Sequence, residues 1–300
     1  MTDHSRPLVT VVIPAHNAEQ FIEDALTSVF RQTYHPIQCI VVDDGSTDKT
    51  GARVSEFPLA HYIVQANTGV ASARNAGARV GKGSYVAFLD ADDVWDERKI
   101  EAQMQVMLEK PEVGLVYCGL QMVDEALRPI RVYECAPLRD AVHNLLLLQH
   151  PYLFGTTVLV SRSAFQAVGG YDPRLSTSAD ADLACRVALR YPIESVGEPL
   201  VRYRQHGGQM HRSLRVFERD MRILYGNVFG GGRSSVARVT RRRAYAALHV
   251  QLAGGYLSAR QRRRAAGHVV AALGQHASGA ARSGLALWRQ GRNEVALGSW

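Results

Sequence analysis

Asp90-Ala91-Asp92-Asp93 sets three carboxylates within four residues at the end of an apolar run, Tyr85 to Leu89 (YVAFL). On an extended chain residues two apart face the same way, so Asp90 and Asp92 are expected to point together into one crevice. Carboxylates that close repel and raise one another's pKa unless a cation neutralises them. Oxygen ligands of this kind suit Mg2+ or Mn2+, and an ion held by one or two carboxylates keeps positions open for substrate phosphates. Asp93 reads equally well as a cap for a helix beginning near Trp95.

A second cluster is Asp43-Asp44-Gly45-Ser46-Thr47-Asp48. A carboxylate at a strand end can accept hydrogen bonds from a pyrimidine N–H or from ribose hydroxyls. Gly45 suits a tight turn, and Ser46 or Thr47 a helix cap. The expected division gives Asp44 to a ligand and Ser46 to the cap. The third feature is Arg74-Asn75 within Asn67 to Gly77 (NTGVASARNAG), where small residues let a helix lie close to a sheet. The Arg74 fork matches a phosphate or a base edge bidentately, although an arginine seen alone is more often a solvated charge. Fourth, Asp180 and Asp182 lie at the start of a helical pattern, where the dipole alone favours acids. A general base requires one of them to face the crevice and accept a proton from a hydroxyl, and both stay open. His206 is the remaining candidate, as a further metal ligand or phosphate contact against a plain surface role.

The elements that must position these residues follow from periodicity. Leu8 to Ile13 and Ile37 to Val42 are near-continuous β-branched runs, the pattern of strands covered on both faces. The first is broken by Pro14, after which Asn17 and Gln20 form a capping box for a helix whose apolar face is Phe21, Ile22, Ala25, Leu26, Val29 and Phe30. A helix is expected over Asp48 to Glu56, a strand over Tyr62 to Gln65, a helix over Val70 to Val80 and a strand over Tyr85 to Leu89. Alternation of this kind implies a right-handed, mostly parallel sheet covered by helices on both faces. Ligands of such sheets bind beyond the carboxyl ends of the strands, where Ala15-His16-Asn17, Asp43-Asp44 and Asp90-Ala91-Asp92 all fall. Further strands are expected over Val113 to Cys118 and Thr156 to Val160, and helices over Ser163 to Val168 and Asp180 to Arg190. Beyond Tyr203 the chain reads as helical, with breaks at Gly230-Gly231-Gly232 and Gly254-Gly255. Val236 to Leu273 reads as an antiparallel pair with Ser258 and Gln261 as a second capping box.

The 300 residues, 46% of them apolar, can bury a core, which excludes a mainly disordered chain. No run of 18 apolar residues occurs, and the first ten residues lack a basic stretch followed by an apolar one. A cytoplasmic start is expected. Cys39, Cys118, Cys135 and Cys185 show no zinc-type spacing and are expected to be reduced and buried. Net charge is +7, yet residues 201–300 hold 18 arginines and no lysine against three acids. The basic balance thus belongs to the last third.

Val11 to Asn17 (VVIPAHN), Ile40 to Asp48 (IVVDDGSTD), Asn67 to Gly77 and Phe88 to Trp95 (FLDADDVW) together resemble the inverting glycosyltransferases of family 2, which have the GT-A fold. So do Val168 to Asp172, Ser178 to Arg186 and Pro199 to His206 (PLVRYRQH); the likeness covers about 7–206. It implies a glycosyltransferase domain over 1–206, with a nucleotide-binding half at 7–118 and an acceptor and base half at 119–206, followed by an Arg-rich helical extension at 207–300. By the resemblance, Pro14, Ala15, His16, Asn17, Asp43, Asp44 and Asn67 hold the nucleotide, with help from Arg74. Asp90 and Asp92 are the D-x-D motif, with Asp90 near the ribose and Asp92 on a Mg2+ or Mn2+ that bridges the diphosphate. The family's base lies in an E-D-x-D segment, which maps onto Ala179-Asp180-Ala181-Asp182. Asp180 is the expected base and Asp182 the alternative. The implied donor is a nucleotide sugar, UDP-linked in preference to dTDP or GDP, and the acceptor a glycan or lipid-linked hydroxyl in envelope polysaccharide synthesis.

Rival classes fit less well. A sugar-phosphate nucleotidyltransferase has a Gly-rich first loop, whereas this one is Pro14-Ala15-His16-Asn17, and a nicotinamide enzyme needs G-x-G-x-x-G there. A glycosidase works with two carboxylates and water. A nucleic-acid-binding role for the basic last third lacks interleaved aromatics. Attraction of 207–300 to anionic lipid at the inner face of a membrane is the preferred alternative to plain solvated helix faces.

Overall fold

The computed structural model of the chain describes residues 6–135, 140–148, 155–207, 213–230 and 238–275. Its strands are β1 (Val9–Ala15), β2 (Ile37–Asp43), β3 (His61–Val64), β4 (Tyr85–Phe88), β5 (Val94–Trp95), β6 (Leu115–Val123), β7 (Pro129–Tyr133), β8 (Leu159–Ser161) and β9 (Ile193–Arg204). Its helices are α1 (Ile22–Phe30), α2 (Thr50–Ser55), α3 (Val70–Val80), α4 (Lys99–Glu109), α5 (Ala141–Leu146), α6 (Arg162–Ala167), α7 (Ala179–Ala188), α8 (Leu214–Phe229), α9 (Arg238–Ser258) and α10 (262–275). They fall into two compact units, one of residues 1–139 and 152–207, the other of 140–151 and 208–300.

In the first unit the described strands form one sheet in the order β3-β2-β1-β4-β8-β6-β9-β5, with β7 added to β6. The β3-β2-β1-β4 portion is parallel, as the β-branched runs require, and β8 turns the sheet antiparallel beside β4. Val9, Val11 and Ile13 of β1 pack under α1 and α4 in the main core, each with no exposed surface. On the other face, α3 lies so near that a Cβ on Gly77 would meet Val12 at 2.4 Å. The small residues of α3 therefore serve close helix–sheet approach, as read from the sequence.

Pro14 does not end its strand. It pairs with Val42, and β1 runs on to Ala15. Val12 is the last β1 residue to pair with β4, through Phe88, so the missing Pro14 N–H lies past the end of that ladder. Thr156 and Thr157 belong to a 3-10 turn, Gly155–Thr157, rather than to the strand expected there. All four cysteines are free and buried, and desolvation pushes the Cys39 and Cys118 thiols up to about 12.

The second unit is helical. Phe217, Met221, Leu224 and Tyr225 of α8 and Ala244, Leu248 and Leu252 of α9 form its apolar interior. Gly254 and Gly255 are not a break but lie inside α9, and at Gly255 the helix passes so close that a Cβ would meet Leu214 Cδ2 at 2.6 Å. The antiparallel pair is α9 with α10: His268 stacks on Tyr256 at 5.3 Å and faces His249. Ser258 Oγ bonds back to Gly254 O rather than capping α10, so the second capping box does not form. The breaks expected at Gly231 and Gly232 lie outside the described residues. Among the described residues no helix is long and apolar enough to cross a membrane.

Candidate active site

Parallel register brings the carboxyl ends of β1, β2 and β3 level. Ala15 pairs with Asp43 and Asp43 with Val64, while the Leu89 N–H just past β4 bonds Val12 O. The loops that follow therefore open on the same edge of the sheet.

At the β1–β2 side the loops brace one another. Asn17 has φ +50°, which disqualifies it as a helix cap, since a cap residue is extended. Its side-chain oxygen instead accepts the Thr47 N–H at 2.8 Å, and its own N–H donates to Ser46 Oγ. Ser46 is thus tied to Asn17, and Asp48 holds the start of α2 by accepting the Thr50 N–H and hydroxyl. Asp43 accepts the Ser46 N–H and the Tyr62 hydroxyl. Asp44 also works on the protein itself: its oxygens accept Gln65 Nε2 at 2.8 Å, Thr68 N at 2.9 Å and Gly69 N at 2.7 Å. It fixes the N-terminal end of α3, and contact with a ligand would use its remaining lone-pair capacity. His16 and Asn67 are exposed at the rim, His16 Nδ1 lying 3.0 Å from Asp44 O and Asn67 Nδ2 lying 3.4 Å from His16 Nε2.

Arg74 is not the open phosphate fork that its sequence context suggests. Its side chain is 4% exposed and joins two acids from distant parts of the chain, Asp90 Oδ1 at 2.6 Å and Asp180 Oδ1 at 2.8 Å. The guanidinium lies 5.1 Å over the Tyr171 ring. The neighbouring Asn75 side chain bonds both the N–H and the carbonyl of Tyr171, and Gly170 at φ +71° leaves room for it. Consecutive residues of α3 thus seize the Gly169–Asp172 turn and the start of α7 together. The roles of Asn75 and Tyr171 escaped the sequence reading, for nothing in their spacing shows a side chain clasping a remote backbone.

The D-x-D acids do not point together. Residues 90–93 form a turn closed by Asp93 N–H to Asp90 O, so the alternation of an extended chain does not apply. Asp90 turns to Arg74, whereas Asp92 Oδ2 lies 2.8 Å from His206 Nε2. The two carboxylates still feel each other: burial chiefly, with Asp180 and Asp92, pushes Asp90 above the ordinary carboxylate range against the opposing pull of Arg74. Asp93 is fully buried and accepts the Arg204 N–H, and the residues after it form β5, so the helix expected near Trp95 starts at Lys99 and Asp93 does not cap it. Arg204, missed in the sequence, donates from Nε to Asp92 O and from Nη2 to Asp24, and lies 4.5 Å over Phe21. It fixes the backbone from which Asp92 projects.

Asp182, the alternative base, has the surroundings of a structural residue. It has no exposed surface and is bound through Oδ2 by Arg186 Nε at 2.7 Å, a structural ion pair one turn apart on α7. Asp180, 17% exposed, is the acid of that segment that reaches the crevice.

Asp92 and His206 supply one carboxylate oxygen and one imidazole nitrogen, half-buried side by side, a donor set that suits Mg2+ or Mn2+. Among the described residues no three His, Cys, Asp or Glu gather into a metal cage. An ion there would take its other ligands from a substrate or from water.

A sheet of this topology with acids at its carboxyl edge belongs to the GT-A class. It superposes on Staphylococcus aureus TarS 1–349 in complex with UDP-GlcNAc with a TM-score of 0.66, at 15% identity and over 94% of this chain and 92% of that one. The glycosyl transferase family 2 model matches residues 10–169, more than half of the sequence, and the chain belongs to that family. An uncharacterized glycosyltransferase of Rickettsia prowazekii is 32% identical over 68% of this chain and 65% of its own length. An Escherichia coli UDP-Glc:alpha-D-GlcNAc-diphosphoundecaprenol beta-1,3-glucosyltransferase is 35% identical over 39% of this chain and 47% of its own. The chain therefore spans less than two thirds of the length of these relatives.

Proposed function

We infer that this glycosyltransferase moves a sugar from a nucleoside-diphosphate donor, UDP-linked by preference, onto a hydroxyl of a glycan or lipid-linked acceptor, inverting the anomeric carbon. One observation carries the reading: Arg74 ties Asp90, at the tip of β4, to Asp180 on α7, so donor-side and acceptor-side acids meet at one buried cation. The E. coli relative, named for a UDP-Glc donor and a diphosphoundecaprenol-linked acceptor, supports the substrate class. Residues 7–118 form the donor half in this reading and 119–206 the acceptor half.

The nucleotide lies along the β1, β2 and β3 ends, where Pro14 to Asn17, Asp43, Asp44 and Asn67 shape the base and ribose site. Asp92 and His206 hold the Mg2+ or Mn2+, which when bound neutralises charge on the departing diphosphate. Arg74 engages Asp180 Oδ1, and Oδ2 takes the proton of the acceptor hydroxyl. The acceptor oxygen attacks from the face opposite the diphosphate, and one displacement inverts the centre. Holding both substrates in line supplies much of the acceleration. Proton NMR of the first product formed from an α-linked UDP-sugar is expected to show a β-linked sugar; an α-linked first product contradicts the single displacement.

The basic last third suits an anionic membrane. Leu257, Val269, Val270 and Leu273 are exposed beside exposed Arg260, Arg262, Arg263 and Arg264. Three arginines in the first turn of α10 oppose its dipole, so an anionic surface stabilises what the helix alone does not. Flotation with phosphatidylglycerol vesicles at low salt is expected to carry the full chain upward. The combined Arg262→Glu, Arg263→Glu and Arg264→Glu variant is expected to abolish this, and its unchanged flotation contradicts the membrane reading.

A further inference from the structure

The Arg74–Asp180 fork is walled by backbone. A Cβ on Gly155, the first residue of the 3-10 turn, would come 2.5 Å from Arg74 Nη2 and 2.8 Å from Asp180 Oδ1, so any shift of this turn moves the fork. Three successive carbonyls of the turn and its exit are taken by side chains from one short stretch of sequence. Trp95 Nε1 donates to Thr156 O at 2.9 Å, Gln103 Nε2 to Thr157 O at 2.8 Å and Lys99 Nζ to Val158 O at 3.3 Å. Lys99 and Gln103 are four apart on α4 and so share a face.

Core filling does not explain Lys99. It has no exposed surface, its ammonium lies 4.0 Å from the centre of the Trp95 ring, and no ion pair to it is found among the described residues. Methionine or leucine would fill that volume without the cost of burying an ammonium. Desolvation pushes the group down to about 7, the mark of its burial. The fully buried Gln103 is also one methylene-rich residue too polar for packing alone, yet its amide spans Val116 O and Thr157 O, linking β6 to the turn.

We propose that Trp95, Lys99 and Gln103 are positioning residues for the transfer step, holding the Gly155 backbone against the Arg74–Asp180 fork through the carbonyls of Thr156, Val158 and Thr157. This rests on Asp180 as the base. The stretch 90–103 then serves both substrates: its first acids face the donor, and its later side chains set the aim of the base on the acceptor. Small displacements matter here, since a misplacement of about 1 Å can cost about 100-fold in rate.

The test compares full-length wild type with Trp95→Phe, which removes one N–H, and Lys99→Met, which removes the ammonium and keeps the stem. Each is expected to lose about ten-fold or more in kcat, with the donor KM and the thermal shift given by UDP plus Mn2+ within two-fold of wild type. In an Asp180→Asn background Trp95→Phe is expected to have no further effect, because residues acting through one base are not additive. Unaltered kcat in both folded variants overturns the proposal. So does the same fold-loss in the Asp180→Asn background, which marks a general structural role. Should Lys99→Met fail to fold, Trp95→Phe carries the test. A wild type with no response to UDP refutes the donor-site reading itself, whereas a responsive, active wild type with unaffected variants refutes only the positioning role.

Discussion

Asp180→Asn is expected to lower kcat by roughly 100- to 10,000-fold, the range of general-base contributions, while leaving the binding of a UDP-sugar unchanged. The isosteric amide keeps an oxygen for Arg74 Nη1, and the buried guanidinium retains Asp90, so no uncompensated charge is created. What disappears is the site that takes the proton. Asp182→Asn makes the matching control. It leaves Arg186 without the carboxylate it holds at two nitrogens, and its effect is expected on stability, about 3 kcal/mol or more by the usual cost of breaking a buried pair. Its turnover per folded molecule is expected to survive. Steady-state kinetics beside urea unfolding separate the two outcomes; normal turnover by Asp180→Asn places the base elsewhere.

Asp92→Asn is expected to have the second largest effect, and on binding rather than chemistry. Asp92 is half-buried, faces His206 and is held in place through its own backbone by Arg204. An amide in its place offers the ion a neutral oxygen, so the electrostatic attraction that draws a divalent cation and a diphosphate together is lost. Ligand binding at about 100 times Kd stabilises a protein by about 2.7 kcal/mol, and for a domain of this size that is a midpoint shift of roughly 5–10 °C. The Mn2+-dependent part of that shift is expected to vanish in the variant, while the metal-free midpoint stays near that of wild type.

The parallel β1–β4 portion was legible because buried strands leave continuous β-branched runs, and α3 because Ala and Gly allow its approach to Val12. Asp44, Asp90 and Asp92 drew notice for a related reason, standing at strand ends where such sheets expose chemistry, whereas Asp180 was preferred to Asp182 only through the family resemblance. Their partnerships were not legible. Alternation placed Asp90 beside Asp92, but a turn intervenes, and no local rule shows that Asp90 answers to Arg74 while Asp92 answers to His206. Arg74 read as an open fork because sequence carries no measure of burial. The contacts of Arg204 and Asn75 were hidden because each acts on groups far along the chain. The helix expected to begin near Trp95 begins at Lys99 instead, because Trp95 and Val94 find a partner in β9, more than a hundred residues away.

Thermal unfolding with UDP, with and without Mn2+, decides whether Asp92 and His206 grip an ion which in turn holds the donor's diphosphate. UDP is expected to raise the midpoint of wild type and Asp180→Asn strongly in Mn2+ and weakly in chelator, and that of Asp92→Asn only weakly in both. An equal rise in chelator, or a full Mn2+-dependent rise in Asp92→Asn, contradicts it.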